Sequence, residues 1–262
     1  MSSTSLYYSV DNGITWCKLS VWDRLKVNAG ATIQFKRQPH WLHRSMIGVP
    51  ISSGRFNVEG NIMSLLYGDD FAGKTDLSDW LDAFQLAFNK SKVVDASGLV
   101  LPATTLSPFC YNAMFKGCSS LVVPPELPAT RLAINCYQEM FKGCTSLVAA
   151  PALPATKLKP HCYQSMFKDC TSLTMPPELP AQTLEYDCYA SMFSGCTGLT
   201  TAPVLPAATL ANGCYAGMFK GCAWDEQIKR IMHELLPSAS LIMENDSWVF
   251  GGKAFYPDYI NM

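Results

Sequence analysis

Residues 101–126 read LPATTLSPFCYNAMFKGCSSLVVPPE, and this stretch decides the fold because the chain contains five copies of its pattern. The copies begin 26 residues apart, at Leu101, Leu127, Leu153, Leu179 and Leu205. A fixed period of this length is typical of solenoids, in which each repeat buries its apolar face only against its neighbours. Such a chain usually displays a surface, so we expect binding rather than catalysis.

The composition narrows the classes of partner. The chain has 262 residues, of which 48% are hydrophobic, and its formal net charge is −1. This balance gives no reason to expect nucleic acid or an anionic membrane as a partner. No stretch approaches the ~20 apolar residues of a membrane span, so we predict none.

Eleven cysteines stand in the chain, and ten of them form five pairs spaced eight residues apart. Both positions of the pair recur with the repeat, so each predicts a column of thiols along the stack. We interpret these as buried free thiols, because cysteine is small and commonly buried. The alternatives are a disulfide within each repeat and a metal site, although zinc sites use closer spacings. The pairs are Cys110 and Cys118, Cys136 and Cys144, Cys162 and Cys170, Cys188 and Cys196, and Cys214 and Cys222.

Residues 1–70 lack the repeat, and their alternating hydrophobicity and frequent turn residues predict a small β-sandwich-like domain. Strands are predicted at residues 6–10, 14–19, 25–27, 32–36, 55–58 and 62–66. Asp11-Asn12-Gly13 joins the first two strands, and Asn-Gly supplies the positive φ angles of a tight hairpin turn. The odd cysteine, Cys17, is expected to be a core or half-buried thiol.

The hairpin sequence from Ser9 to Trp16 matches S-x-D-x-G-x-T-W and resembles the Asp-box of sialidase propellers and other secreted β-proteins. The resemblance implies a folded turn without a catalytic role, and one copy does not imply a propeller. We expect the Asp11 side chain to bond backbone amides of the loop. Four other side chains are interpreted as loop or packing residues, with metal ligation or sugar stacking as the alternatives: His40, His43, Trp22 and Trp41.

Residues 71–100 are predicted to be a degenerate repeat that caps the array. Within them, apolar residues at helical spacing predict a helix over residues 75–90, with Thr75 or Asp76 as its N-cap. The same stretch aligns with the first full repeat at a distance of 27 residues. This alignment matches Phe84 to Tyr111, Phe88 to Phe115 and Ser91 to Cys118.

Residues 101–223 contain the five full repeats, and in each the segment CYxxMFxxC should face the core. The spacing of Cys136, Met140 and Phe141 predicts one short helical turn that directs all three inward. The residue before the second cysteine is glycine in four repeats and Asp169 in the other. Aspartate tolerates a left-handed backbone better than most residues, so we predict φ > 0 at all five positions.

The motif C-Y-x-x-M-F-x-G-C-T-S-L, clearest at residues 136–147, resembles the BspA-type leucine-rich repeat family of surface proteins from gut and oral bacteria. The resemblance covers about residues 75–223. It implies a leucine-rich-repeat solenoid of mixed α/β class, preceded here by the small all-β domain. It also implies binding to host proteins or surface glycans, with no catalytic residues.

Residues 224–262 follow the last repeat and are predicted to form a C-terminal capping helix and tail. Trp224, Ile228, Ile231, Met232 and Leu235 lie on one helical face, and a proline follows the expected end. Further strands are predicted at residues 240–243 and 247–250.

Eleven residues are candidate contacts to a partner. Eight vary between repeats in the stretch after LPAT, on a scaffold whose Leu, Cys, Met and Phe are constant. Three belong to a lysine stripe that Ser194 interrupts and that Glu139 and Asp169 weaken. The alternative is that both sets are merely solvated. The variable set is Arg131, Asn135, Lys157, Lys159, His161, Glu185, Tyr186 and Asp187; the candidates from the stripe are Lys116, Lys142 and Lys168, and Lys220 continues the stripe after Ser194.

We therefore expect a non-catalytic binding or adhesion module that presents its repeats to a protein or glycan at the cell surface or outside the cell. The sequence starts without a secretory signal, so the alternative is a structural or receptor-binding component of a phage virion, such as a tail or head fibre. A remote alternative, suggested by the Asp-box alone, is a glycan-acting enzyme, which needs two carboxylates roughly 5–10 Å apart. No cofactor or metal is predicted, and a homo-oligomer or larger assembly is compatible with this reading.

Overall fold

In the computed structural model, the described residues are 6–20, 25–26, 28–37 and 52–222, together with the backbone of three strands within 242–255. Regular structure in these residues is mostly β, with one short α-helix. The predicted C-terminal helix, the histidine pair His40 and His43, and Trp22 and Trp41 lie outside the described residues.

Three antiparallel strands form the first sheet: β1 (Leu6–Ser9), β2 (Cys17–Leu19) and β3 (Gln34–Arg37), in the order β2-β1-β3. These agree with three of the predicted strands, whereas Leu25 and Lys26 belong to no strand. Cys17 is exposed, so the expectation of a core or half-buried thiol is wrong. Cys17 lies on β2, where the neighbouring Lys18 is also exposed.

The hairpin between β1 and β2 folds as the Asp-box pattern predicts. Asn12 and Gly13 have φ of 56° and 84°. Asp11 accepts hydrogen bonds from the Thr15 amide (2.9 Å) and hydroxyl (2.6 Å), and the Ser9 hydroxyl donates to it as well (2.7 Å). The hydrogen bond from the Thr15 hydroxyl is the main reason that the pKa of Asp11 falls to about 2. The turn is therefore held by side chains rather than by a buried core.

Two parallel strands, β4 (Phe56–Asn61) and β5 (Val93–Val100), begin the stacked part of the molecule. Between them, α1 (Ser64–Tyr67) is followed by a single 3₁₀ turn, Gly68–Asp70. The strand predicted over residues 62–66 is therefore wrong. The Asn61 side chain accepts the Met63 amide (2.9 Å) and turns the chain, so that consecutive apolar residues enter the core on a helix.

Each repeat forms one layer of a stack, which we call a rung. Along the chain, backbone amides alternate between hydrogen bonds within their own rung and hydrogen bonds to the next rung. Tyr137 N–H donates to the carbonyl of Cys162 in the next rung (3.0 Å), whereas Gln138 N–H donates to Asn135 three residues back (3.3 Å). The alternation holds in every rung from residue 109 to residue 196. Each rung is thus hydrogen-bonded to its neighbour along the whole CYxxMFxxC segment.

Every fourth residue of this segment has a left-handed backbone. In one rung, φ is 57° at Asn135, 56° at Glu139 and 74° at Gly143. The predicted positive φ at the position before the second cysteine is confirmed in all five rungs: Gly117, Gly143, Asp169, Gly195 and Gly221. A right-handed helix tolerates no such period, because its residues all have negative φ.

The segments predicted to be helical are consequently chains of β-turns. The short helical turn at Cys136–Phe141 and the helix over residues 75–90 are both wrong, although Cys136, Met140 and Phe141 are fully buried as expected. Asp76, the suggested N-cap, instead accepts the amide of Ser78 in a local turn (2.7 Å). Spacings of four and five residues bring side chains to one face in both structures, so the pattern did not separate them.

Identical side chains stack in columns along the rungs. The tyrosine column runs from Tyr111 to Tyr215, with ring centroids 5.7–6.0 Å apart and planes within 11° of parallel. A phenylalanine column from Phe115 to Phe219 has spacings of 5.6–5.7 Å. Offset stacking of buried rings adds to the burial of apolar area, so every rung contributes the same interactions to its neighbour.

The cysteines are free thiols, and nine of the ten in the repeats are fully buried while Cys222 is half-buried. In the second column each thiol donates to a phenylalanine carbonyl of the preceding rung, as Cys144 does to Phe115 (3.1 Å). Burial raises the pKa of Cys110 and Cys170 to about 12. The thiols are therefore protonated packing groups at neutral pH, and buried free thiols are confirmed over disulfides within each repeat.

The degenerate repeat occupies the first rung as the alignment predicted. Phe84 stacks on Tyr111 at 5.7 Å and Phe88 on Phe115 at 5.1 Å. Ser91 lies 3.3 Å from the Cys118 sulfur and so replaces a cysteine at the end of its column.

Beyond the repeats, the described backbone comprises β6 (Ile242–Glu244), β7 (Ser247–Phe250) and β8 (Lys253–Phe255), a three-stranded antiparallel sheet. The strand predicted at residues 247–250 is confirmed, and the one predicted at 240–243 overlaps β6. The molecule thus joins small sheets to a solenoid-like stack of repeated ladders.

Restoring the consensus residue at Gly198 by Gly198→Ser should destabilise the protein, although consensus substitutions usually stabilise. A Cβ there would lie 2.7 Å from the Thr171 carbonyl oxygen and 3.2 Å from that of Leu173. Both are backbone atoms, so we expect a loss of roughly 1–3 kcal/mol, measured by thermal denaturation.

Asp169→Gly is the matched control, because it also restores the consensus but at a position where φ is 62°. Glycine adopts this conformation without steric cost, so the Tm should stay equal or rise. A Gly198→Ser protein as stable as the parent would contradict the assigned packing.

Removing the hydroxyl of Tyr137 by Tyr137→Phe should leave stability unchanged or raise it by about 1 kcal/mol. The hydroxyls of Tyr111, Tyr137 and Tyr163 are buried and have no hydrogen-bond partner among the residues that the structure describes. The reverse change, Phe141→Tyr, should lower stability, because it buries a new polar group in the neighbouring column. Chemical denaturation of both variants checks this, and a Tyr137→Phe protein less stable by more than 1 kcal/mol would refute it.

Candidate functional site

The variable residues after LPAT lie on one face of the stack. Parallel bridges join Thr105 to Arg131 and Lys157 to Thr183, so equivalent positions of successive rungs lie side by side. Arg131, Lys157 and Lys159 are all exposed. Within the described part of the chain, no acidic oxygen lies within 4.0 Å of their side-chain nitrogens. We call these three cations the basic patch; they make no ion pair with the described residues, although the charge of Arg131 adds to the Ser78 hydrogen bonds that lower the pKa of Asp76.

An apolar row flanks the basic patch. It consists of the residues at one repeat position: Ile134, Pro160 and Tyr186. The backbone register is fixed, because the carbonyls of Pro160 and Tyr186 accept amides of the preceding rung at 3.3 and 3.0 Å. Ile134 is 44% exposed and Tyr186 is 47% exposed, which is high for large apolar side chains. The face thus combines positive charge with accessible apolar surface.

Two lysines of the lysine stripe share one carboxylate. Glu139 lies between two rungs and binds both Lys116 (2.5 Å) and Lys142 (2.6 Å). Partial burial acts to raise the pKa of Glu139, but the hydrogen bonds from the two lysines outweigh it and hold this pKa below its usual value. Further along, Lys168 is half-buried and the interrupting Ser194 is buried. The stripe is therefore a local ion-pair network rather than a continuous basic surface.

His161, Asp187 and Tyr186 come together where two rungs meet. The Nδ1 atom of His161 lies 3.7 Å from a carboxylate oxygen of Asp187. The Tyr186 ring meets the His161 ring edge-on, with centroids 5.1 Å apart and planes at 82°. Burial raises the pKa of Asp187, and the nearby His161 acts in the opposite direction. Glu185, the last of the variable set, is half-buried beside them.

Three candidate residues also have a conformational role. Asn135, His161 and Asp187 occupy one repeat position with φ of 57°, 56° and 50°, and Gly213 continues the row with 66°. Asparagine, aspartate, histidine and glycine are the residues that most readily adopt this backbone. Phe109 holds the same position in the first full repeat with φ of 61°, so the recurrence of Asn, His, Asp and Gly in the other four repeats is the signal in the sequence that could have identified this second left-handed position.

Two polar features were missed from the sequence. Glu139 was expected only to weaken the stripe, and it instead bridges two lysines. A ladder of side-chain amides also joins the degenerate repeat to the three rungs that follow it. In this ladder, Gln85 donates to Asn112 (3.2 Å), Asn112 to Gln138 (2.9 Å) and Gln138 to Gln164. The spacing of these amides at 26 or 27 residues was visible, but their orientation depends on the stacked backbone.

The described residues contain no group of three or more His, Cys, Asp or Glu side chains placed to hold a metal ion. No helix in that part of the chain is both long enough and apolar enough to cross a membrane. A scan against protein-family models, a search of curated proteins and a search of solved structures each returned no match.

Glu139→Gln should lower stability at neutral pH by on the order of 0.5–1 kcal/mol, a value discounted for solvent screening. The folded-state pKa of Glu139 is depressed, so its contribution is present above the unfolded pKa and lost as pH falls through the folded value. Denaturation should show a larger difference in stability between the variant and the parent at pH 7 than at pH 3.

Glu178→Gln is the control for this test, because Glu178 is exposed and makes no ion pair with any described residue. If the stability difference between Glu139→Gln and the parent is as large at pH 3 as at pH 7, charge pairing is not its cause.

Proposed function

We propose that the chain is a non-catalytic binding module, displayed outside the producing cell, that presents the face carrying the basic patch to a protein or glycan. The observation that carries the proposal is that Arg131, Lys157 and Lys159 are exposed and make no ion pair with the described residues, while Lys116 and Lys142 are paired with Glu139. Unpaired charge beside exposed apolar side chains is typical of recognition surfaces.

The rigidity of the scaffold supports this proposal. The rung backbones are joined by hydrogen bonds of 2.7–3.3 Å along the CYxxMFxxC segment, and the core columns are the same in each rung. A surface on such a scaffold holds its side chains at fixed separations, so little conformational entropy is lost on binding. The outer residues can vary without disturbing the core, because none of them belongs to a buried column.

We also propose that the stack is a leucine-rich-repeat solenoid of the BspA type. Support comes from the motif at residues 136–147 and from the leucines that open and close the LPATxL segment, all buried from Leu101 to Leu205. These leucines line the core beside the cysteine and aromatic columns. The assignment is consistent with binding rather than chemistry.

A binding screen tests the proposed function. The full chain is applied to an array of neutral and acidic glycans and to a panel of bacterial and host surface proteins. We expect at least one ligand whose binding falls at least tenfold in the triple variant Arg131→Ala/Lys157→Ala/Lys159→Ala.

The control removes the same charge elsewhere, by Lys18→Ala/Lys26→Ala/Lys92→Ala, at three exposed lysines on other parts of the chain. This control should bind like the parent. A complete lack of ligands, or ligands that bind the triple variant as well as the parent, would refute the proposed function.

A further inference from the structure

We propose that the partner is an acidic glycan, a polysaccharide bearing carboxylate or sulfate groups. In this proposal Arg131, Lys157 and Lys159 bind its anionic groups, and Tyr186 stacks on a sugar ring. The inference rests on the proposed function, because it specifies the ligand of the same surface.

The positive charge of the basic patch indicates a negatively charged ligand. Arg131 and Lys157 occupy the same position of adjacent rungs, and Lys159 lies two residues further along its rung. The nearest acids by position are Asp76, on the far side of Thr105, and Glu185, one rung beyond Lys159. Neither forms an ion pair with the patch within the described residues. Two positive charges on adjacent rungs and a third further along one rung favour a polymer that carries several anions.

The apolar row explains why the ligand is a sugar polymer. A pyranose ring presents a face of C–H groups, which packs on an aromatic ring, and its carboxylate or sulfate groups lie at the rim. Tyr186 is nearly half exposed and makes an edge-on contact with His161, and it lies in the rung that follows Lys157 and Lys159, between Glu185 and Asp187 in the sequence. A ligand with both features meets the charge and the ring together.

Recognition of an extended peptide by strand addition is disfavoured at this face. Strand addition needs unpaired backbone amides and carbonyls. Here the amides of Leu106, Asn135 and His161 donate to carbonyls of Arg131, Pro160 and Tyr186 in the following rungs, at 2.9–3.3 Å. These backbone groups are already paired, and the exposed side chains around them are cationic, apolar and aromatic.

Equilibrium binding with four polymers tests the inference: heparin, polygalacturonate, neutral dextran and poly-L-glutamate. We expect the full chain to bind one or both acidic glycans, with affinity that falls as salt rises, and not to bind dextran. Loss of three surface charges that each contribute modestly should weaken binding by roughly tenfold or more. The matched control Lys18→Ala/Lys26→Ala/Lys92→Ala should bind like the parent.

Tyr186→Ala separates sugar recognition from simple charge attraction. It should weaken binding to the acidic glycan while leaving any residual binding to poly-L-glutamate unchanged, because only the glycan offers a ring to stack on. Circular dichroism and thermal denaturation of each variant confirm that the fold is retained.

Three outcomes would overturn the inference. The first is binding of poly-L-glutamate at least as tight as that of the glycans, which would assign the patch to an acidic protein. The second is binding of dextran that is unaffected by the triple variant. The third is a protein ligand in the screen with no acidic glycan bound, which would leave the proposed function intact, whereas no ligand of any kind would refute both.

Discussion

The structure depends on the hydrogen bonds that join each rung to the next. Within the CYxxMFxxC segment, one amide closes a turn in its own rung and the following amide donates to a carbonyl 25 residues further along. This alternation satisfies the backbone of a buried segment without either a helix or a long strand, as buried polar groups require. It needs a left-handed residue at every fourth position, at a steric cost of roughly 1–2 kcal/mol for each non-glycine residue. The gain has to come from the neighbouring rung, so a single repeat is not stable by itself.

The same constraint decides which residues the core accepts. Because the rungs are in register, each inward side chain meets a copy of itself, and only groups that stack well on themselves fit the columns. Aromatic rings do so with nearly parallel planes, as Tyr137 does on Tyr163 at 5.9 Å. Cysteine is small enough for the narrow parts of the rung, and its thiol donates to a carbonyl of the preceding rung. The recurrence of the 26-residue motif is thus a packing requirement rather than an indication of catalysis.

Outside the columns, the register turns single residues into surfaces. Glu139 pairs with lysines from two rungs, whereas Arg131, Lys157 and Lys159 make no ion pair with the described residues. Basic side chains at different repeat positions therefore differ in what they can bind. The surface proposed for recognition combines three such cations on two adjacent rungs with the exposed ring of Tyr186 on the next rung. The scaffold contributes by fixing separations, and the variable residues contribute the chemistry.

The sequence by itself determined the period, the register of the columns, the buried thiols and the left-handed position before the second cysteine. Each of these follows from the identity of one residue and its recurrence, as Asp169 shows among the glycines. Of the candidate positions predicted from the sequence, Lys157 and Tyr186 are exposed and Asn135 and Asp187 are half-buried, and their role in binding stays a prediction. Only the tertiary structure decided that the inward segments are β-turns rather than helices, because their hydrogen-bond acceptors lie 25 residues away. It alone decided which lysines are paired, since the contact of Glu139 with Lys116 exists only when two rungs are stacked.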